Sequence, residues 1–206
     1  MYILYGGGVT RSLGPQMILE EAGLPYELRS LDEHAGEHRQ TSYLAINPAG
    51  VMPALVTPEG EVLHEAAAIM LWLAERHGLD GLAPPAGDPQ RGLFLAKLFF
   101  QTNEIQTAMA RFFRPERCST DPMHAPAIRD RARAEALDRW ALLDGFLAAG
   151  GPFHLGTRFS LLDLHMTLWA AYGLDGATEV TDRFPAVRRC FEATIARPRV
   201  GPLVTG

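Results

Sequence analysis

Apolar and polar positions follow two different periods along these 206 residues, and the change of period divides the chain. In the first third the apolar residues come in short runs. Tyr2-Ile3-Leu4-Tyr5, Tyr26 to Leu31, Ala54-Leu55-Val56 and Val62-Leu63 read as strands. Between the first two, Val9-Thr10-Arg11-Ser12 leads into a helix through about Ala22, with Gly23 as its C-terminal stop. Pro15 suits the first turn of that helix, where backbone N–H groups have no partners. The resulting β-α-β unit predicts parallel pairing of its strands. A further amphipathic helix is expected from about Glu65 to His77, ended by Gly78. Residues 32 to 46 are polar and read as a solvated loop. The segment LDGLAPPAGDPQ, residues 79–90, is rich in proline and glycine and reads as a linker. Beyond it apolar residues recur at helical spacing over Arg91 to Arg114, Ala127 to Ala149, Leu161 to Gly173 and Pro185 to Arg197. This half offers no strand pattern and predicts a helical bundle. The expected organisation is an α/β domain over 1–78 and an all-α domain over 91–206.

Composition narrows the class. Hydrophobic residues make up 47% and charged residues 21%, and the formal net charge is −5. That balance carries no electrostatic footprint for nucleic acid or an anionic membrane. No apolar run approaches the roughly 20 residues that span a bilayer. MYILY opens without a basic leader, so no signal peptide is expected. Cys118 and Cys190 form no C-x-x-C pair, which suits reduced thiols and a cytoplasmic location.

Candidate chemistry concentrates between Asn47 and His77. Asn47-Pro48-Ala49-Gly50 is a turn, and Pro53 sits where a strand should begin, since proline cannot donate to a ladder. Glu65 follows a strand at the start of a helix, where the dipole favours a carboxylate and where it could pair with a ligand ammonium. Gly6-Gly7-Gly8 lets the chain bend after the first strand; no Gly-Lys-Ser/Thr follows, which disfavours a phosphate loop. His34 and His38 are four apart, but no third ligand stands nearby, and no metal site is expected. Phe159-Ser160-Leu161-Leu162-Asp163-Leu164 is a capping-box variant, with Ser160 as cap, Asp163 reaching back, and Phe159 and Leu164 as the hydrophobic staple. Ser160 and Asp163 therefore read as folding residues.

The residues Asn47, Pro48, Gly50, Pro53 and Glu65, with their spacing, resemble the N-terminal domain of cytosolic glutathione S-transferases. The Ser160-to-Asp163 box resembles one in the core helix of that family's second domain. The resemblance implies a thioredoxin-like β-α-β-α-β-β-α domain followed by a helical bundle, a cis bond before Pro53, glutathione as co-substrate, and a homodimer. In that dimer the first domain of one subunit would face the helical domain of the other. It assigns glutathione contacts to Met52, Pro53, Glu65 and the N–H of Ala66, with His38, Arg39 or Gln40 for the glycyl carboxylate. Asn103 resembles an asparagine that bacterial beta-class relatives direct toward the ligand, and Glu104 would act across the dimer. Ala66 departs from the pattern, which carries a hydroxyl there.

Such an enzyme must hold a thiol of ordinary pKa near 8.5 as thiolate at neutral pH, a shift of about two units or roughly 2.7 kcal/mol. A helix N-terminus contributes about 0.3–1 kcal/mol and a hydrogen bond to a charged group about 1.5–3. One hydroxyl donor plus the dipole is therefore about sufficient. Thr10 falls where Ser-type relatives keep their serine, Ser12 is the second candidate, and Tyr5 at the strand end is the third. Arg11 falls where beta-class relatives keep a cysteine, so mixed-disulfide chemistry is disfavoured. Val9, Met109, Phe112, Phe113 and Trp169 are candidates for an apolar wall facing a small electrophile, or for plain core. Conjugation of glutathione to that electrophile is the first expectation. Glutathione-dependent isomerisation, dehalogenation or peroxide reduction is the second, and a non-catalytic protein binder on the same fold is the third.

Overall fold

The computed structural model describes residues 1–8 and 10–205; Val9 lies outside the described residues. The chain divides into two compact units, one of Met1–Ala83 with Ile195–Gly206 and one of Pro84–Thr194.

The first unit is built on a four-stranded sheet of β1 (Tyr2–Gly6), β2 (Tyr26–Ser30), β3 (Ala54–Val56) and β4 (Val62–His64), in the order β2-β1-β3-β4. β1 pairs with β2 in parallel and with β3 antiparallel, and β3 pairs with β4 antiparallel. Helix α1 (Leu13–Ala22) makes the crossover between the parallel strands and packs against α3 (Ala66–Arg76). The two-residue period of β1 sorts its side chains. Tyr2 and Leu4 are buried, and Tyr2 stands edge-on to Trp72 of α3 with its hydroxyl 2.7 Å from His77 Nε2. Tyr5, of the opposite parity, packs with Tyr43, Met52 and Ala54. Tyr43 belongs to α2 (Thr41–Leu44), preceded by a 3-10 turn at Glu37–Arg39. The polar segment expected as plain loop thus contains two short helical turns, each too brief to show a period. The order of elements is the thioredoxin-like one.

The C-terminal stretch returns to this unit. Arg197 pairs with Glu21, and Arg199 donates to the Glu20 carbonyl at 3.0 Å, fixing the end of α1.

The second unit is helical: α4 (Arg91–Phe100), α5 (Gln106–Phe113), α6 (Ala125–Ala148), α7 (Leu161–Tyr172), α8 (Glu179–Arg183) and α9 (Pro185–Ile195), the last residue of which falls in the first unit. A short α10 (Gly201–Thr205) lies in the C-terminal stretch. The expected single helix over Arg91 to Arg114 is corrected here. A π-helical turn at Gln101–Ile105 separates α4 from α5. Apolar spacing does not register one inserted residue per turn, so the interruption was invisible in the pattern. Helix α7 is buried along most of its length, and Trp140, Leu143 and Leu147 of α6 are fully buried, which places the core of the unit around these two helices. Among the described residues no helix is long and apolar enough to cross a membrane.

Candidate active site

Strand register assembles the site of the first unit. Tyr5 stands opposite Ala54, and Ala54 opposite His64. The turn after β1, the Met52-Pro53 approach to β3, and Glu65 after β4 therefore all emerge along the edge of the sheet formed by the C-terminal ends of β1 and β4 and the start of β3. The Met52–Pro53 peptide bond is cis.

In the turn after β1, Ser12 Oγ accepts from the Gly7 N–H at 2.9 Å and lies 2.7 Å from Thr10 Oγ1. Ser12 is fully buried, whereas Thr10 is half-buried. Ser12 therefore orders the turn, and Thr10 is the more accessible residue of the two. Gly6 is required by close approach: a Cβ there would stand 2.1 Å from Ser12 Cβ. Tyr5 is committed otherwise, its hydroxyl accepting from Arg29 Nη1 at 2.8 Å.

Across the edge, Tyr43 Oη and Asn47 Nδ2 both donate to the Val51 carbonyl at 2.7 Å, which fixes the chain entering Met52. Met52 is buried. Burial raises the pKa of the Tyr43 phenol, while its hydrogen bond with Asn47 and the charge of Arg11 pull it back. Tyr43 was not foreseen as a site residue; nothing in its local sequence marks it.

Glu65 is the one non-glycine residue at positive φ among the described residues, with φ 67° and ψ 114°. Its carboxylate is exposed and makes no capping bond to α3. The N–H groups of Ala66, Ala67 and Ala68 open that helix and have no acceptor within it. A backbone outlier costing about 1–3 kcal/mol beside open donors points to a ligand.

His38 is buried with Nδ1 unpartnered, and exposed Arg39 donates from Nη1 to the Ala49 carbonyl at 3.4 Å. Gln40 is exposed. His34 sits in a turn whose N–H donates to Asp32 Oδ1 at 2.8 Å.

The second unit holds the remaining candidates. Asn103 is exposed in the π-helical turn, and Glu104 pairs with Arg139 at 2.6 Å. Met109 and Phe112 are fully buried and Trp169 is 4% exposed, so burial makes them core; Phe113 alone of these four keeps partial exposure.

Around the capping box lies a buried polar network. Ser160 N–H donates to Asp163 Oδ2 at 2.7 Å, and the Leu162 N–H donates to Ser160 Oγ at 3.3 Å. Asp163 Oδ1 accepts from the His154 N–H at 2.9 Å, from His154 Nδ1 at 2.8 Å and from the Cys190 thiol at 3.3 Å. His154, Asp163 and Cys190 have the residue types of a metal site, yet these hydrogen bonds fill the carboxylate. Burial and the Asp163 charge push the Cys190 thiol far up, so it stays protonated. Gln101, at the π-helical turn, lies 3.1 Å from His154 Nε2 and accepts from His165 Nδ1 at 2.9 Å. The bonding pattern assigns these tautomers.

Burial, with the nearby His154, lowers the pKa of His165 from 6.5 to about 3. Between those values the unfolded chain binds a proton that the folded chain refuses. Stability therefore falls as pH drops below about 6.5, by about 1.4 kcal/mol per pH unit from this group. Urea unfolding at a series of pH values should show a shallower acid decline in His165→Asn than in the parent. Equal declines would remove His165 as the cause.

Residues 11–76 match the family described as glutathione S-transferase, N-terminal domain. A maleylacetoacetate isomerase of Pseudomonas aeruginosa is 40% identical over 207 residues, covering 92% of this chain and 88% of that protein. A glutathione transferase homologue from Sulfitobacter, solved with bound glutathione, superposes with a TM-score of 0.90 at 25% identity, covering 98% of this chain and 96% of the other. A glutathione transferase from Methylococcus capsulatus gives 0.84 at 29% identity, over 99% and 97% of the two chains. With the sheet order, the site at its edge and these matches together, the chain belongs to the glutathione S-transferase family.

Proposed function

We propose that the protein binds glutathione at the sheet edge of the first unit and adds its thiolate to a small hydrophobic electrophile. The observation that carries this is Glu65, an exposed carboxylate held at φ 67° in front of open helix N–H groups. The carboxylate suits the ligand's ammonium, and the Ala66 N–H suits its α-carboxylate. Thr10 is the thiol's hydroxyl donor, since the Ser12 hydroxyl is buried behind it. Met52 supplies backbone contacts, and Arg39 or Gln40 meets the glycyl carboxylate.

Thr10→Ala should lower kcat/KM for conjugation about tenfold to 150-fold, the equivalent of about 1.5–3 kcal/mol for a hydrogen bond to charge. Glutathione affinity, read by calorimetry, should move far less. An unchanged rate would remove Thr10 from this role.

The Pseudomonas relative favours a second reading, glutathione-dependent isomerisation. The thiolate would add to one carbon of a conjugated double bond, moving the π electrons to the carbonyl oxygen. After rotation about the resulting single bond, the carbon–sulfur bond would break and return the thiolate. Glutathione is then not consumed, and the absence or presence of a stable conjugate in mass spectra separates the two reactions.

A homodimer and a cytoplasmic location accompany this reading. The second unit exposes Leu93 and Phe99 on α4 and Leu142 and Phe146 on α6, with Phe146 set edge-on to Phe100 at 5.6 Å. A second copy would cover this apolar ridge. Phe99→Glu should shift the species seen by light scattering from dimer toward monomer; a parent that is already monomeric would exclude the dimer.

A further inference from the structure

Every other arginine of the first unit has an acceptor. Arg29 pairs with Glu27, Arg76 with Glu59 and Arg197 with Glu21, while Arg39 reaches the Ala49 carbonyl and Arg199 the Glu20 carbonyl. Arg11 alone among the described arginines of this unit has no hydrogen bond and no ion pair. It is half-buried, in the turn between Thr10 and Ser12, and a guanidinium does not shed its charge.

Its surroundings are specific. The Arg11 charge acts on Tyr43, whose hydroxyl is bound to the Val51 carbonyl one residue before Met52. Strand register sets the turn after β1 beside Pro53, since Tyr5 faces Ala54. Arg11 thus follows Thr10 in the turn that leaves β1 where the chain enters β3, with its charge in electrostatic reach of Tyr43. Tyr43 in turn packs against Tyr5, whose hydroxyl accepts from Arg29, and Glu65 follows β4 at the same end of the strands. Arg29 is neutralised by Glu27, and Glu65 faces the position assigned to the ligand's ammonium. Among the described residues no carboxylate forms an ion pair with Arg11.

We propose that Arg11 is a further catalytic residue, whose unpaired guanidinium holds the bound glutathione sulfur as thiolate alongside the Thr10 hydroxyl. This rests on the glutathione reading above. The thiol proton leaves to solvent, and Arg11 stays protonated throughout. A cation in reach of the sulfur favours its anionic form, lowering the thiol pKa by about one unit or more at contact distance.

The test is the thiol pKa of enzyme-bound glutathione, followed by ultraviolet thiolate absorbance in parent, Arg11→Gln and Arg11→Lys. Affinities for glutathione and S-methylglutathione are measured by calorimetry on the same proteins. Arg11→Gln should raise the bound thiol pKa by about one unit, leaving about tenfold less thiolate below it, and Arg11→Lys should restore most of the shift. S-methylglutathione, which has no ionisable thiol, should bind the parent and Arg11→Gln alike. An unmoved thiol pKa in Arg11→Gln overturns the proposal. So does an equal loss of affinity for both ligands, which would make Arg11 a carboxylate anchor. A parent that binds neither ligand overturns the glutathione reading and this inference with it.

Discussion

Asp163→Ala is expected to destabilise the helical unit by about 3–5 kcal/mol, the scale for breaking a buried charged network by removing one partner. The carboxylate is fully buried and accepts from two backbone N–H groups, those of His154 and Ser160, as well as from His154 Nδ1 and the Cys190 thiol. Removing it leaves these donors in a place water does not reach. Ser160→Ala, which deletes the cap hydroxyl and leaves the carboxylate, should cost only about 0.5–2 kcal/mol. The contrast separates a capping role from a network role. Urea unfolding followed by circular dichroism measures both variants, and equal losses would mean that Asp163 does no more than cap α7. Circular dichroism of the variants at low denaturant guards against reading an unfolded chain as a shifted midpoint.

The two periods of the apolar pattern carried the architecture. Strands of three to five residues were legible because Ala54-Leu55-Val56 and Val62-Leu63 stand between turn residues, and the long helices because their apolar stripes repeat over several turns. Glu65 was legible through its place after a strand and before a helix, though its positive φ was not, since no glycine or asparagine marks the position. What escaped was whatever depends on tertiary pairing. Tyr43 reads as one aromatic in a polar stretch until its hydroxyl meets the Val51 carbonyl eight residues later. Gln101, His154, His165 and Cys190 are scattered over ninety positions and become one network only when α7 and α9 are packed. The difference in burial between Thr10 and Ser12 also needed coordinates, because two hydroxyl residues two apart in a turn look alike in sequence. Met109, Phe112 and Trp169 show the reverse case, since an apolar stripe looks the same whether it lines a site or fills a core.

Substitution of Glu65 by glycine should weaken binding and raise stability, whereas substitution by alanine should weaken binding alone. Glu65→Ala removes the exposed carboxylate but keeps a Cβ at φ 67°, so it retains the backbone cost and loses the ligand contact. Glutathione affinity should fall about tenfold to 150-fold, for a charged hydrogen bond of about 1.5–3 kcal/mol, with the thermal midpoint nearly unchanged. Glu65→Gly loses the same contact and also relieves the backbone. Strain of about 1–3 kcal/mol is released, against about 0.5–1 kcal/mol for the freer unfolded glycine, so the midpoint should rise. Calorimetric titration with glutathione and a thermal melt on both variants read the two quantities independently. Full affinity in Glu65→Ala would remove Glu65 from the site. Loss of affinity in both variants, with a higher midpoint only in Glu65→Gly, would show that the fold keeps a strained residue at this edge for the ligand, because a glycine there would make the empty protein more stable.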